Sequence, residues 1–173
     1  MDEAESTIET GTEIKFPYLS AEASTVLKEK MASSADGWAV INETQMADGS
    51  TSVTKAYLKV GELAQLTVLQ KEWASHDNLL GDDGTIERLE VAPDGTAAKL
   101  THFTHEPSTT DSPFRGFTTQ ELEVTPNHVL LAGREWSGHP SGKFFALGLK
   151  HEVERSVKLI ETWARATASA SSN

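Results

Sequence analysis

The sequence predicts an α+β fold, a curved antiparallel β-meander of seven or eight strands with an N-terminal helix and a long amphipathic C-terminal helix. Three observations carry that expectation. Between Trp38 and Trp136 several short runs alternate apolar and polar residues, the period of a half-buried strand. Turn chemistry interrupts this stretch at Ala47-Asp48-Gly49-Ser50, Pro93-Asp94-Gly95-Thr96 and Thr125-Pro126-Asn127, as hairpins require. Beyond it, Ala146, Leu149, Val153, Val157, Ile160 and Ala164 recur three or four apart and so share one helical face.

Taken in order, residues 1–12 are polar and acidic with no periodicity and read as a flexible tail. The single domain spans 13–166, and an Ala/Ser-rich tail fills 167–173. Glu13 to Tyr18 alternates and reads as a short edge strand that ends at Pro17. Ser20 is the N-cap of a first helix, with Glu22 in its first turn, and Ser33 to Gly37 stops it. Strands follow over Trp38–Met46, Thr51–Val60 and Ala64–Trp73, then a loop over 75–84. Thr85–Ala92, Ala97–His105, Phe117–Val124 and His128–Trp136 complete the meander. The Ser137-Gly138-His139-Pro140-Ser141-Gly142 segment reads as a flexible, gate-like loop, and the last helix runs from about Phe144 to Ala166. Glu154 and Lys158 stand in the favourable i, i+4 order on its outer side.

Composition narrows the function. A 173-residue chain with 38% hydrophobic residues buries a core without covalent staples. The net charge of −11, with no basic run, argues against nucleic acid, whose phosphates demand clustered cations. There is no cysteine, which excludes disulfides and thiolate chemistry. No stretch reaches the roughly 20 apolar residues that span a bilayer. Membrane insertion is not expected, and a cytoplasmic location is the default.

A twisted sheet of this size curls, and one helix covers only part of its inner face. The candidate inward faces mix polar and apolar residues, as small-molecule pockets do. On Ala97–His105 one face reads Ala98, Leu100, His102 and Thr104. On His128–Trp136 one face reads Leu130, Ala132, Arg134 and Trp136. A ligand cavity between sheet and C-terminal helix is therefore expected. Its candidate ligand-binding residues are Tyr57, Trp73, His102, Arg134, Trp136, Leu149 and Val153. Titratable groups that share the strands are Glu72, Arg88 and Glu135. His102 is the best single acid/base candidate, because its ring titrates near neutral pH and shares a face with Leu100.

No motif assigns catalysis. His102 and His105 fall on opposite faces of a strand and cannot chelate one ion together, so no metal is expected. Neither a nucleophile elbow nor a phosphate-cradling glycine motif occurs, and no cofactor is expected.

The element order, the hairpin Leu89-Glu90-Val91-Ala92-Pro93-Asp94-Gly95-Thr96-Ala97-Ala98-Lys99-Leu100-Thr101 and the helix Leu149–Ala164 resemble the START-like (SRPBCC, helix-grip) superfamily. That group includes polyketide cyclases, lipid carriers and plant hormone-binding proteins. Seven strands after the first helix, where that superfamily usually has six, keep open an eight-stranded barrel resembling lipocalins or the spirotetronate cyclases. The resemblance implies a hydrophobic small-molecule partner such as a polyketide, lipid or isoprenoid. A cofactor-independent cyclase using the same cavity is the alternative. An interaction or assembly protein with a solid core is the third reading, and a homodimer stays open.

Overall fold

Among the described residues, eight antiparallel strands form one sheet in strict sequence order, with a helix before them and a long helix after. The computed structural model describes residues 14–45, 51–59, 65–74, 83–105 and 117–171. Helix α1 is Ala21–Ala32. The strands are β1 (Ala39–Gln45), β2 (Thr51–Lys59), β3 (Gln65–Ala74), β4 (Asp83–Val91), β5 (Ala98–His105), β6 (Phe117–Val124), β7 (Val129–Leu131) and β8 (Arg134–Glu135). Helix α2 is Pro140–Ser171. The outermost strands β1 and β8 do not pair with each other, so the sheet is open and the closed barrel is not formed. Three expected features (the 1–12 tail, the 47–50 turn and residues 75–82 of the loop before β4) lie outside the described residues.

Strand alternation decides which side chains meet the helices. Ala56 and Leu58 of β2 stand opposite Val68 and Leu66 of β3, which stand opposite Leu89 and Val91 of β4. The same face continues through Leu100 and Ala98 of β5 and Leu122 and Val124 of β6 to Leu131 and Val129 of β7. On α2 the whole predicted stripe, Ala146, Leu149, Val153, Val157, Ile160 and Ala164, is buried against this face. Phe16, Leu19, Ala23 and Leu27 close the core from the N-terminal side.

Helix α1 starts where its cap demands. The Ser20 hydroxyl oxygen accepts from the Ala23 N–H at 3.1 Å. The carboxylate of Glu161 on α2 also takes both the Ser20 N–H, at 2.6 Å, and its hydroxyl, at 2.9 Å, which ties the two helices together.

Five expectations are corrected. Residues 14–18 are not a strand: only the Phe16 N–H reaches Gly95 O, at 2.8 Å, and Pro17 has no N–H to continue a ladder. Gly95 is needed there, because its φ is +75° and a Cβ would lie 2.6 Å from Phe16 O. The single strand His128–Trp136 is instead a hairpin of β7 and β8, turned at Ala132 (φ 54°) and Gly133 (φ 80°). Both positive φ values suit a type I′ turn, and an alanine at the first position conceals it in the sequence. The gate-like loop is the start of α2: Pro140 takes the first helical position, and His139 Nδ1 accepts from the Ser141 N–H at 3.1 Å. Gly142 lies inside the helix and lets it approach β8, since a Cβ there would overlap the Trp136 carbonyl oxygen. The helix also runs past Ala166 to Ser171, because alanine-rich sequence is a strong helix former. Lastly, the Glu154–Lys158 pair does not form, and Glu154 lies 3.3 Å from His151 instead.

Candidate functional site

Each core strand carries its apolar residues toward one end of the helix-side face and polar ones toward the other. Beyond the apolar rows lies a row in register across five strands: Thr54, Gln70, Glu87, His102 and Gln120. The neighbouring apolar row on the same face is Ala56, Val68, Leu89, Leu100 and Leu122. Leu100 and Leu122 are only partly buried, so the boundary between the two rows is accessible.

At the centre of the polar row His102 Nδ1 lies 2.9 Å from Glu87 Oε2, with side chains 39% and 35% exposed. An ionised carboxylate only accepts, so Nδ1–H is the donor in this bond. Glu87 thereby sets both the tautomer and the orientation of the imidazole.

Helix α2 supplies the adjoining wall. At 100° per residue, one flank of its buried stripe carries Glu161, which holds α1, and the opposite flank carries Phe145, Glu152, Ser156 and Trp163. All four on that second flank are partly buried. Arg155, next to them, pairs with Glu152. Its guanidinium pKa is raised, first by the hydrogen bond to Glu152 and the attraction of that carboxylate, and more weakly by the charge of Glu87. Two pairs thus stand on the two elements, Glu87–His102 on the sheet and Glu152–Arg155 on α2. Among the described residues no group of three or more His, Asp or Glu side chains is placed to hold a metal ion.

The expected site residues are not all brought together. His102 stands in this cluster. Leu149 and Val153 lie next to it along α2 but are 1% and 0% exposed, filling the core. Tyr57 projects from the other face of the sheet, between buried Ala56 and Leu58, and packs against Trp38 with ring centroids 5.6 Å apart. Trp73 is on β3, in register with Thr51 and Gly84. Trp136 is partly buried at the far end of the sheet, edge-on to Phe145 at 5.3 Å and to His139 at 5.0 Å. Arg134 is exposed and lies 4.7 Å over the Trp136 ring. Of the other titratable candidates, Arg88 is on the outer face and Glu135 is exposed on β8, bonded to Ser137.

Glu87, Gln70 and Gln120 are the residues that sequence reasoning passed over. Their signal was present, since Glu87 has the same parity as Leu89 and Val91, and Gln120 the same as Leu122 and Val124. No protein-family model matches this chain, and neither a curated protein nor a solved structure is significantly similar to it. No helix among the described residues is long and apolar enough to cross a membrane.

Proposed function

We propose that the protein binds a hydrophobic small molecule with a polar end, of the polyketide, lipid or isoprenoid kind, on the helix-side face. The observation that carries this reading is the in-register meeting of two rows, Leu89–Leu100–Leu122 and Glu87–His102–Gln120, beside the flank of α2. Apolar surface with a few convergent polar groups is the ordinary make-up of a small-molecule site. The apolar part of the ligand lies along Leu100 and Leu122, and its hydrogen-bonding end meets His102 and Gln120. Leu149 and Val153 support the site from the core and do not touch the ligand.

A second reading, a cofactor-independent cyclase, is favoured by one feature. A histidine oriented by a carboxylate has the arrangement of a general acid/base, and such a group beside a bound flexible molecule can move a proton within it.

Native mass spectrometry of the protein purified from its own source tests the binding reading. The expected spectrum shows a stoichiometric small-molecule adduct that is lost in Leu100→Trp and weakened in His102→Ala. An adduct retained undiminished in both variants would place the ligand elsewhere. For the second reading, Glu87→Gln is the decisive variant: it retains the adduct and changes its chemical form if the pair is catalytic, and leaves that form unchanged if the protein only carries the ligand.

A further inference from the structure

Charge is divided unevenly between the two faces of the sheet. The cations of β2 to β5, Lys55, Lys59, Lys71, Arg88 and Lys99, all have the strand parity that points away from the helices. On the helix-side face the polar row contains one acid, Glu87, and no lysine or arginine. Helix α2 adds one cation beside this row, Arg155, whose side chain is 73% exposed and tied to Glu152. At 100° per residue Lys143 and Lys150 lie on the opposite flank of α2 with Glu161, and Lys158 lies on its outer side.

Both carboxylates beside the row already have partners, Glu87 in His102 and Glu152 in Arg155. A protonated His102 would do no more than balance Glu87, so the two pairs leave no cation over. The groups that stay free to bond a ligand are uncharged. The Thr54 hydroxyl makes no hydrogen bond among the described residues, although Thr54 is only 5% exposed. Ser156, half-buried on the flank of α2, and Gln120, exposed in the row, have side chains equally without a partner there. A hydroxyl and a primary amide each both donate and accept.

Given a ligand on this face, as proposed above, we infer that its polar end is an uncharged hydroxyl or carbonyl and not a carboxylate or phosphate. An anion set beside His102 meets the Glu87 carboxylate, with Glu152 on the adjoining flank, and finds no unpaired cation among the described residues. The net charge of −11 adds to that repulsion. A cationic head gains little either, since each carboxylate is already held. A hydroxyl bonds Gln120, Ser156 or Thr54 in either sense, and a carbonyl accepts from the same groups. The ligand class narrows to alcohols, phenols and ketones of the polyketide or isoprenoid kind, without free fatty acids or phosphate-headed lipids. One like charge a few ångströms away at a partly exposed site weakens binding by about tenfold.

Three matched pairs of alcohol and acid test this on the full chain near neutral pH, with backbone amide shifts followed by NMR. They are farnesol with farnesoic acid, dodecanol with dodecanoic acid, and naphthol with naphthoic acid. In at least one pair the alcohol should shift the Leu100, His102 and Gln120 amides and bind about tenfold more tightly than its acid. Gln120→Lys, at an exposed position, supplies the missing cation and should raise binding of that acid to the level of the alcohol. An acid that binds at the same amides as tightly as its alcohol in the unaltered protein overturns the uncharged head and leaves the ligand site standing. So does an acid that gains nothing from Gln120→Lys. Shifts absent from this face with all six compounds overturn the site itself, and the head-group assignment with it.

Discussion

The two ends of the helix-side face are made by the same strands with the same alternation, yet they differ in polarity and in burial. At one end Leu58, Leu66, Val91, Val124 and Val129 are less than 2% exposed beneath α2 and α1. At the other, four residues along each strand from β2 to β6, stand Thr54, Gln70, Glu87, His102 and Gln120. The difference lies in what covers them. Helix α2 fills the first end completely, and only its flank, with Glu152, Ser156 and Arg155, borders the second. Parity along a strand decides which face a residue joins, while distance from the helix decides how far that face is covered, Thr54 alone of the polar row being buried.

Substitutions in the two ends should separate these roles. Leu149→Ala opens a cavity at a fully packed position and is expected to cost about 2–5 kcal/mol, readable as a lower denaturant midpoint. His102→Ala, on a half-exposed side chain of the same face, should stay within about 0.5 kcal/mol and act on ligand retention alone. A comparable loss of stability in both variants would erase the distinction between core and site.

Next in size is Gly142→Ala. The new methyl group overlaps the Trp136 carbonyl oxygen, so the first turn of α2 must move away from β8. A loss of about 1–3 kcal/mol is expected, together with a change in the near-ultraviolet signal of Trp136. An unchanged midpoint would mean that the helix start tolerates displacement and does not position the wall of the site.

Ser20→Ala removes the cap of α1 and one of the two bonds to Glu161. About 1 kcal/mol is expected, with hydrogen exchange accelerated first in α1 and not in the strands. Exchange that rises equally throughout would show that the helices and the sheet open as one unit.

The smallest effect belongs to Asp36 at the entry to β1. Its carboxylate accepts from the Trp38 N–H, the Ser34 hydroxyl and Lys55, and these hold its pKa down at about 2 against the usual 3.8. The folded chain therefore releases this proton more readily than the unfolded one. The stabilising contacts are complete above pH 3.8 and are lost as pH falls through about 2. An NMR titration should find the Asp36 midpoint near 2, and Ser34→Ala should move it upward. A midpoint already at 3.8 in the unaltered protein would remove the effect.

Much of the fold was readable from particular residues. The boundaries of β6 and the start of α1 at Ser20 follow from local chemistry that no distant contact overrides. The buried stripe of α2 matches its periodicity residue for residue, because a single apolar face on a helix has only one way to be hidden from water. The hairpin at Ala132-Gly133 was not readable, since alanine rarely adopts positive φ and the flanking residues still alternate. The start of α2 at Pro140 was hidden too, because Ser-Gly-His-Pro-Ser-Gly has the composition of a loop until Trp136 and Phe145 pack across it. Of the site, His102 was legible from its parity with Leu100. Its partner Glu87 required the register of β4 against β5, a relation between residues 15 apart.

By itself the sequence determined the two helices, the five strands from β2 to β6 in their order, and the alternation of faces along them, since these follow from periods of 2 and 3.6 and from local turn and cap chemistry. Only the tertiary structure decided that the sheet stays open, that Tyr57 turns away from the helices while His102 turns toward them, and that Glu87 meets His102 at 2.9 Å. The reason is that strand register and the path of α2 are long-range relations, set by how one apolar stripe packs on one face and by which side chains it leaves uncovered.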